Sequence, residues 1–550
     1  MKLNEKWGWF LGFTAVFAAL AGFVFWGTWS PDFGFVQPDS PTVPSPYVIS
    51  DFWRKWLVQG GFVPTDLLMF CGSPYYRQEL FYVLGAYFSG LAVMYFLRGR
   101  GLSRLASYGA GLLLAFSGYW ITLFSAGHGS WFIWMTYGLW PFGLLDRAIR
   151  KGKIKNWILL GATVGWAAYW QPDLWLLFTT LTGAYFVYRC IAERKFPWKG
   201  MLIAAVSMFV IGGAAFRFAL GDSLAGRDKQ IEEGQTISEK DKATSDARER
   251  RWIFVTNWSL PPAESAEFFI PRLNGDTSCP LTLSLGARYG TGVRPYTGAL
   301  GRPKDAPSGN YRQHSLYVGF ITCLLAFCGI VFFCASLKSG KDSAFPLGGN
   351  LRSSPSDFAF FLVAAILCWL CSMGRYCEPV YRVIFSLPFG DYLRAPVKWH
   401  HLTEFSICVL AGYGIESLKF KVQSLKFGWV SRFAPWIVGA VVIIGAIDLA
   451  RVDHLYCAPV DLREAKRQNC SMQMTFLRKA DFNNPHVAAM VSQKKIVPLA
   501  QPNPEMYLVG ILEPWKKNTD PLPPMGLPAW LGVLSMLGTL VAGAYVVWRI

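Results

Sequence analysis

Twelve apolar stretches constrain this chain more than anything else in it, falling at about 8–27, 80–97, 105–124, 131–147, 157–170, 174–189, 200–220, 314–336, 358–373, 401–418, 433–450 and 528–548. A helix rises about 1.5 Å per residue, so roughly 20 apolar residues traverse about 30 Å of hydrocarbon. Most of the stretches approach that length. Hydrophobic residues make up 53% of the chain and charged residues 16%, with a mean hydropathy of +0.28, which excludes a soluble globular protein. The expected fold is an all-α polytopic membrane protein of about 12 transmembrane helices, with outer loops and a small α+β segment near the C-terminus. The pair at 157–170 and 174–189 is short and meets at Gln171-Pro172-Asp173, which predicts a broken or partly re-entrant hairpin.

The net charge of +18 would suit a nucleic-acid partner, but its placement argues against one. Arg98, Arg100 and Arg104 share one connection, and Arg147, Arg150, Lys151, Lys153 and Lys155 the next but one. Further basic sets lie at 189–199, 338–352 and 419–432, whereas the turns Ser125–Ser130 and Gln171–Asp173 hold no Lys or Arg. Basic residues resist translocation, so the alternation orients the chain with both termini cytoplasmic. Lys2 and Lys6 precede an apolar run, but it is long and lacks a small-x-small exit before Trp26. The first segment therefore reads as a retained helix rather than a signal peptide. Six of the twelve cysteines lie inside apolar stretches as small fillers; pairing of Cys457 with Cys470 in an oxidising compartment stays open. No spacing resembles a zinc site.

The chain divides into a transmembrane module over 1–220 with a first outer loop at 28–79, and a large extracytoplasmic loop at 221–313. C-terminal transmembrane helices follow over 314–450, then a small extracytoplasmic domain at 451–527 and a last helix at 528–550. In the first loop, Ser50-Asp51-Phe52-Trp53-Arg54-Lys55-Trp56-Leu57 reads as an interfacial helix with Ser50 or Asp51 as N-cap. The second opens with a charged run from Asp222 to Arg251 and turns aromatic from Trp252.

Given that topology, several polar groups fall on the outer side. They include Asp51, His128 in the turn Ala126-Gly127-His128-Gly129, Asp173 between Trp170 and Trp175, Arg77, and Arg394 and Lys398 ahead of Glu404. Ionisable groups at membrane depth are costly and usually face a cavity or a partner. Each also has a plain structural reading. Asp51 can cap its helix, His128 can satisfy local backbone, and Asp173 can complement a helix N-terminus. Arg394 and Lys398 can snorkel as interface anchors or hold a lipid phosphate, and Glu404 can pair internally.

Four stretches resemble the bacterial YfhO-like membrane proteins, a branch of the GT-C superfamily of polyprenyl-phosphate-sugar-dependent glycosyltransferases. They are Ser125-Ala126-Gly127-His128 with the later Leu145-Asp146-Arg147; Gln171-Pro172-Asp173; Thr256-Asn257-Trp258-Ser259-Leu260-Pro261-Pro262 with Phe268-Phe269-Ile270-Pro271; and Leu393-Arg394-Ala395-Pro396-Val397-Lys398 continuing to Leu410-Ala411-Gly412-Tyr413-Gly414. Together they cover roughly residues 1–450. The resemblance implies a GT-C-like fold in a bacterial inner membrane, and a carboxylate in the first outer loop. Asp51 matches that position best, with Asp32, Asp39 and Asp66 as rivals. The chain lacks the Asp-x-Asp or Asp-Glu pair of some relatives, so a divalent cation as cofactor stays open.

The implied activity is transfer of a sugar from a polyprenyl-phosphate-linked donor to an extracytoplasmic acceptor, whether glycan, lipid or protein. Asp51, supported by Asp173 and His128, would take the acceptor's proton, while Arg394, Lys398 and Arg77 would neutralise the donor phosphate. A transporter or flippase of a lipid-linked glycan, or a non-catalytic assembly subunit, are the alternatives. A transporter predicts polar residues through the middle of several helices and broken helices in matching halves; here the mid-membrane positions are largely apolar.

Overall fold

The structure is a computed structural model that describes residues 5–28, 32–34, 78–123, 131–169, 172–218, 247–275, 300, 315–339, 355–388, 390–424, 428–457, 460–503, 506–515 and helical positions between 530 and 541. Helices dominate it. They are α1 (Glu5–Val24), α2 (Gln78–Gly99), α3 (Arg104–Ala115), α4 (Gly118–Thr122), α5 (Trp131–Tyr137), α6 (Trp140–Lys151), α7 (Ile154–Ala167), α8 (Pro172–Glu193), α9 (Trp198–Phe218) and α10 (Ala247–Val255). After these come α11 (Phe320–Ser339), α12 (Pro355–Ser372), α13 (Glu378–Ser386), α14 (His400–Gln423) and α15 (Gly428–Tyr456).

Among the described residues, five helices are long and apolar enough to cross a membrane: within α1, α8, α9, α11 and α15. A sixth span arises if α12 and the segment Gly374–Ser386, bent 112° from it, count together. Their outward faces carry large apolar side chains at helical spacing, such as Leu202, Val206 and Phe209 on α9, and Phe320, Leu324, Phe327 and Val331 on α11. Apolar stripes of that extent facing outward belong in lipid, because water would drive them to a partner. The chain is a multi-pass membrane protein.

Two of the other apolar stretches are interrupted, whereas α2 and α14 run unbroken for 22 and 24 residues. The stretch at 105–124 is split into α3 and α4 at Phe116 and Ser117, and the one at 131–147 into α5 and α6, where Pro141 cannot donate back into a preceding turn. The two arms of the expected short hairpin are unequal. Pro172 sits at the start of α8, where its missing N–H costs nothing, and α8 then runs 22 residues. Only its first arm, α7, is short, at 14 residues.

Charged side chains gather the helix ends into two poles. At the first, Arg100 Nη1 lies 2.8 Å from Asp146 on α6 and its other amino group pairs with Asp357 on α12. Arg189 on α8 stands 3.5 Å from each of those carboxylates, and Tyr188 Oη donates to Asp357 at 2.8 Å. All four charged side chains are at least 96% buried, so two cations and two anions neutralise one another where single charges would be untenable. At the second pole the Ser315 amide donates to Thr122 (2.9 Å), Tyr317 Oη donates to Asp448, and His454 Nδ1 lies 3.0 Å from the Val24 carbonyl.

Small residues set the tightest helix packing. Gly161 and Gly165 on α7 face Ala204, Ser207, Met208 and Gly212 on α9, so close that a Cβ at Gly165 would stand 2.9 Å from the Met208 carbonyl. Close backbone approach replaces the hydrophobic drive that helices lack between themselves in lipid. Ser207 Oγ donates to Ile158 O (2.9 Å) and Tyr169 Oη to Ile211 O (2.7 Å) across the same seam. Beyond α15, strands β3 (Cys470–Arg478), β4 (Ile496–Asn503) and β5 (Met506–Pro514) form an antiparallel sheet in the order β3-β5-β4. It is tied to the start of the chain by β1 (Phe33–Gly34) pairing with β2 (Val460–Asp461). Cys457 and Cys470 are both free thiols.

Candidate functional site

The stretch from Gly390 to Trp399, which leads into α14, consists of two short 3-10 turns, Gly390–Tyr392 and Pro396–Trp399, pinned by backbone hydrogen bonds. Ala395 adopts a left-handed φ of 62° and its amide donates to Val255 O (3.1 Å), while the Val397 amide donates to Trp258 O (3.0 Å). On the neighbouring side, Arg375 donates from its amide to Ser259 Oγ (3.0 Å), from Nε to Thr256 O (3.1 Å) and from Nη2 to Asn257 Oδ1 (2.9 Å). Gly374, at φ 49°, permits this, because a Cβ there would strike Ser259 and lie 2.8 Å from Pro396 Cβ. Residues 255–259, 372–375 and 395–397 therefore form one folded unit at the second pole.

On that unit Lys398 reaches α8 and its ammonium pairs with Asp173. The Asp173 side chain is 4% exposed and that of Lys398 18%. Asp173 also accepts from the Leu174 amide (3.0 Å), as a carboxylate at a helix N-terminus does. Arg394 lies over the Phe254 ring, 4.8 Å from its centroid. Beside it Arg251 pairs with Asp391 at 2.7 Å and lies over Tyr392. Burial opposes the Arg251 charge, but hydrogen bonds to Tyr392 and Asp391 outweigh it and hold the guanidinium firmly protonated. An open hollow of about 580 Å³ adjoins this group, lined by Arg248, Arg251, Asp391 and the apolar turn Phe385–Pro388.

Below Lys398, Glu404 is fully buried and clamps the break between α3 and α4. It accepts from Ser117 Oγ (2.7 Å) and from the Tyr119 amide (3.1 Å), taking up a donor that the start of α4 leaves unpaired. His400 Nε2 and His401 Nδ1 stand 3.7 and 3.8 Å from the same carboxyl. The rings of both flank Tyr119, and His400 stacks on Phe268 at 4.3 Å. Asp453 on α15 is also fully buried, with neither oxygen hydrogen-bonded among the described residues.

Of the residues expected from sequence, Asp173 and Lys398 are in direct contact and Arg394 lies four residues from Lys398. Asp51, His128 and Arg77 lie outside the described residues, as do Asp39 and Asp66. Sequence reasoning treated Arg100 and Arg189 only as orienting charges and missed their buried partners. The available signal was Asp146 and Asp357, carboxylates inside or abutting apolar runs, where an acidic residue needs a cation. Among the described residues no cluster of three or more His, Cys, Asp or Glu side chains could hold a metal ion. Comparison with protein-family models gives no match to the chain, and no curated protein matches it.

Proposed function

We propose that this chain is a GT-C-type membrane glycosyltransferase of the bacterial inner membrane, moving a sugar from a polyprenyl-phosphate carrier to an extracytoplasmic acceptor. In this reading all twelve apolar stretches belong to spans, the Arg100 pole and both termini are cytoplasmic, and the Lys398 pole is extracytoplasmic. The 460–514 sheet region then lies outside as well.

The observation that carries the reading is the contact between Asp173 and Lys398, groups 225 residues apart, made from the stretch that also carries Arg394 and the Asp391 of the open hollow. A carboxylate that touches Lys398 keeps the ammonium at the pole, pointed where a lipid-borne phosphate would arrive. Asp173 thereby acts as a positioning residue, and Lys398 with Arg394 would stabilise the phosphate as negative charge develops on it. The acceptor oxygen attacks the anomeric carbon with inversion as the carbon–phosphate-oxygen bond breaks. The electron pair leaves with the polyprenyl phosphate, and the acceptor proton passes to a carboxylate in the first outer loop. Asp51 is assigned that role, with His128 assisting.

The test is incubation of purified protein with labelled polyprenyl-phosphate sugars and candidate acceptors. Asp51→Asn is expected to abolish transfer at unchanged protein level, and Lys398→Met to raise KM for the donor about tenfold or more, the loss of one charge-assisted contact. Wild-type turnover by Asp51→Asn removes Asp51 from the mechanism. Vectorial movement of the lipid-linked sugar in liposomes without transfer would replace the enzyme by a transporter, and binding alone would leave a scaffold.

A further inference from the structure

At the first pole, away from the site proposed above, the end of α6, the start of α7 and the turn between α8 and α9 line a crevice of about 270 Å³. Its walls are Ala148, Ile149, Gly152 and Trp157 on one side and the turn Lys195-Phe196-Pro197-Trp198-Lys199-Gly200 on the other. The turn is firmly built. Arg194 takes a left-handed φ of 48°, and the Lys195 amide donates back to Cys190 O at 3.1 Å. Gly200 lets the buried Trp157 indole lie against the backbone, since a Cβ there would meet the ring at 2.6 Å or less. Gly152, at φ 62°, ends α6 and opens the crevice from the opposite side.

Three properties of this crevice coincide. No acidic residue lines it, and Lys195 and Lys199 take part in no ion pair among the described residues. The nearest carboxylate in sequence, Glu193, is paired with Arg189. Lys153 and Lys155 add charge just beyond the Gly152 turn. Around it the surface is apolar and aromatic: Ile154, Ile191, Phe196, Trp198 and Leu202 are each 59–72% exposed. Below it the outward stripe Leu202, Val206, Phe209 runs down α9. A soluble anion would find the cations but would leave those faces bare. A zwitterionic lipid would cover the faces but bring no net charge to the lysines.

We infer that this crevice binds the headgroup of an anionic glycerophospholipid, its phosphate taken by Lys195 and Lys199 and its acyl chains lying along Leu202, Val206 and Phe209. Basic pockets between helix ends at a membrane surface recognise lipid in this way, and each lysine close to the surface contributes measurably to anionic-lipid affinity. The site owes nothing to the proposed sugar transfer and stands or falls without it.

The experiment is native mass spectrometry of the delipidated full chain titrated with phosphatidylglycerol or phosphatidylcholine. The wild type is expected to retain one phosphatidylglycerol in preference to phosphatidylcholine. Lys195→Gln with Lys199→Gln should weaken that binding about tenfold or more, two near-surface charges being lost. The same pair changed to Arg should keep it. A control removing equal charge elsewhere, Lys338→Gln with Lys421→Gln, should leave it unchanged, and matching thermal unfolding will show each variant folded. Equal retention by the Lys195/Lys199 glutamine variant, or equal loss in the control, overturns the site. Displacement of the lipid by millimolar inorganic phosphate would reassign the crevice to a free anion and overturn it too.

Discussion

Gly161 and Gly183 offer a single substitution with opposite expected signs. A Cβ at Gly161 would stand 2.8 Å from Ser207 Cβ and 2.9 Å from the Ala204 carbonyl carbon, with the Ala204 oxygen closer still. Comfortable carbon–carbon contact is about 3.5–4.0 Å, so α7 and α9 must part by at least about 0.7 Å. Two of the three obstructing atoms are backbone and cannot swing aside. Overpacking of this kind costs about 1–3 kcal/mol, offset by the roughly 1 kcal/mol that alanine gains over glycine in a helix. Backbone obstruction puts the cost in the upper part of that range, about 2–3 kcal/mol, so Gly161→Ala should lose about 1–2 kcal/mol net. Gly183 on α8 has nothing within 4 Å of its added Cβ, so Gly183→Ala collects only the helix-propensity gain. For a cooperative unit of about 150–250 residues the first change lowers Tm by about 2–8 °C, and the second raises it slightly. Thermal unfolding in detergent, followed by a thiol-reactive dye on the buried cysteines, measures both. A Gly161→Ala protein as stable as wild type would refute the close α7–α9 seam.

Other outcomes follow from the same physics. Asp357→Asn leaves buried Arg100 with Asp146 alone and Arg189 with Asp146 and Glu193, and should cost about 3–5 kcal/mol by the same assay. Asp173→Ala and Lys398→Ala should be non-additive by about 1–3 kcal/mol in a double-mutant cycle on stability; additive losses would dissolve the contact. Glu404→Ala strands the Ser117 hydroxyl and the Tyr119 amide, and should cost about 1–3 kcal/mol in stability, with Glu404→Gln recovering most of it. Hydrogen bonds from Arg463 hold Asp461 below the usual carboxylate range, so its contribution is present above about pH 4 and fades as pH falls through the depressed value. The protection of the Leu462 amide, which donates to Asp32 O at 2.9 Å, relative to its intrinsic exchange rate at each pH, should fall on that descent and lose the dependence in Asp461→Asn.

The long apolar runs of α1, α8, α9, α11 and α15 are legible because lipid demands continuity of composition, and composition is local. The breaks were harder. Ser117 interrupts the stretch at 105–124 only because Glu404, 287 residues on, supplies an acceptor for the freed donors. Pro172 begins α8, the one place in a helix where proline is harmless, and the two apolar stretches meet there in the sequence as well. Contacts such as Lys398 with Asp173 have no local signature, since neither residue's neighbourhood hints at the other. Two stretches that carried the family resemblance, 256–259 and 395–397, are bonded to each other through the Val397 amide and Trp258 O, and the first is bonded to Arg375 as well, which sequence order does not reveal.

The buried quartet of Arg100, Asp146, Arg189 and Asp357 has a consequence for biogenesis. A ribosome delivers Arg100, Asp146 and Arg189 long before Asp357, so the early helices carry a surplus positive charge until α12 emerges. A nascent protein halted before residue 355 would leave Arg100, Arg150 and Arg189 with only Asp146 and Glu193 to share. Completion of the fold is thus gated by a helix made two-thirds of the way through translation.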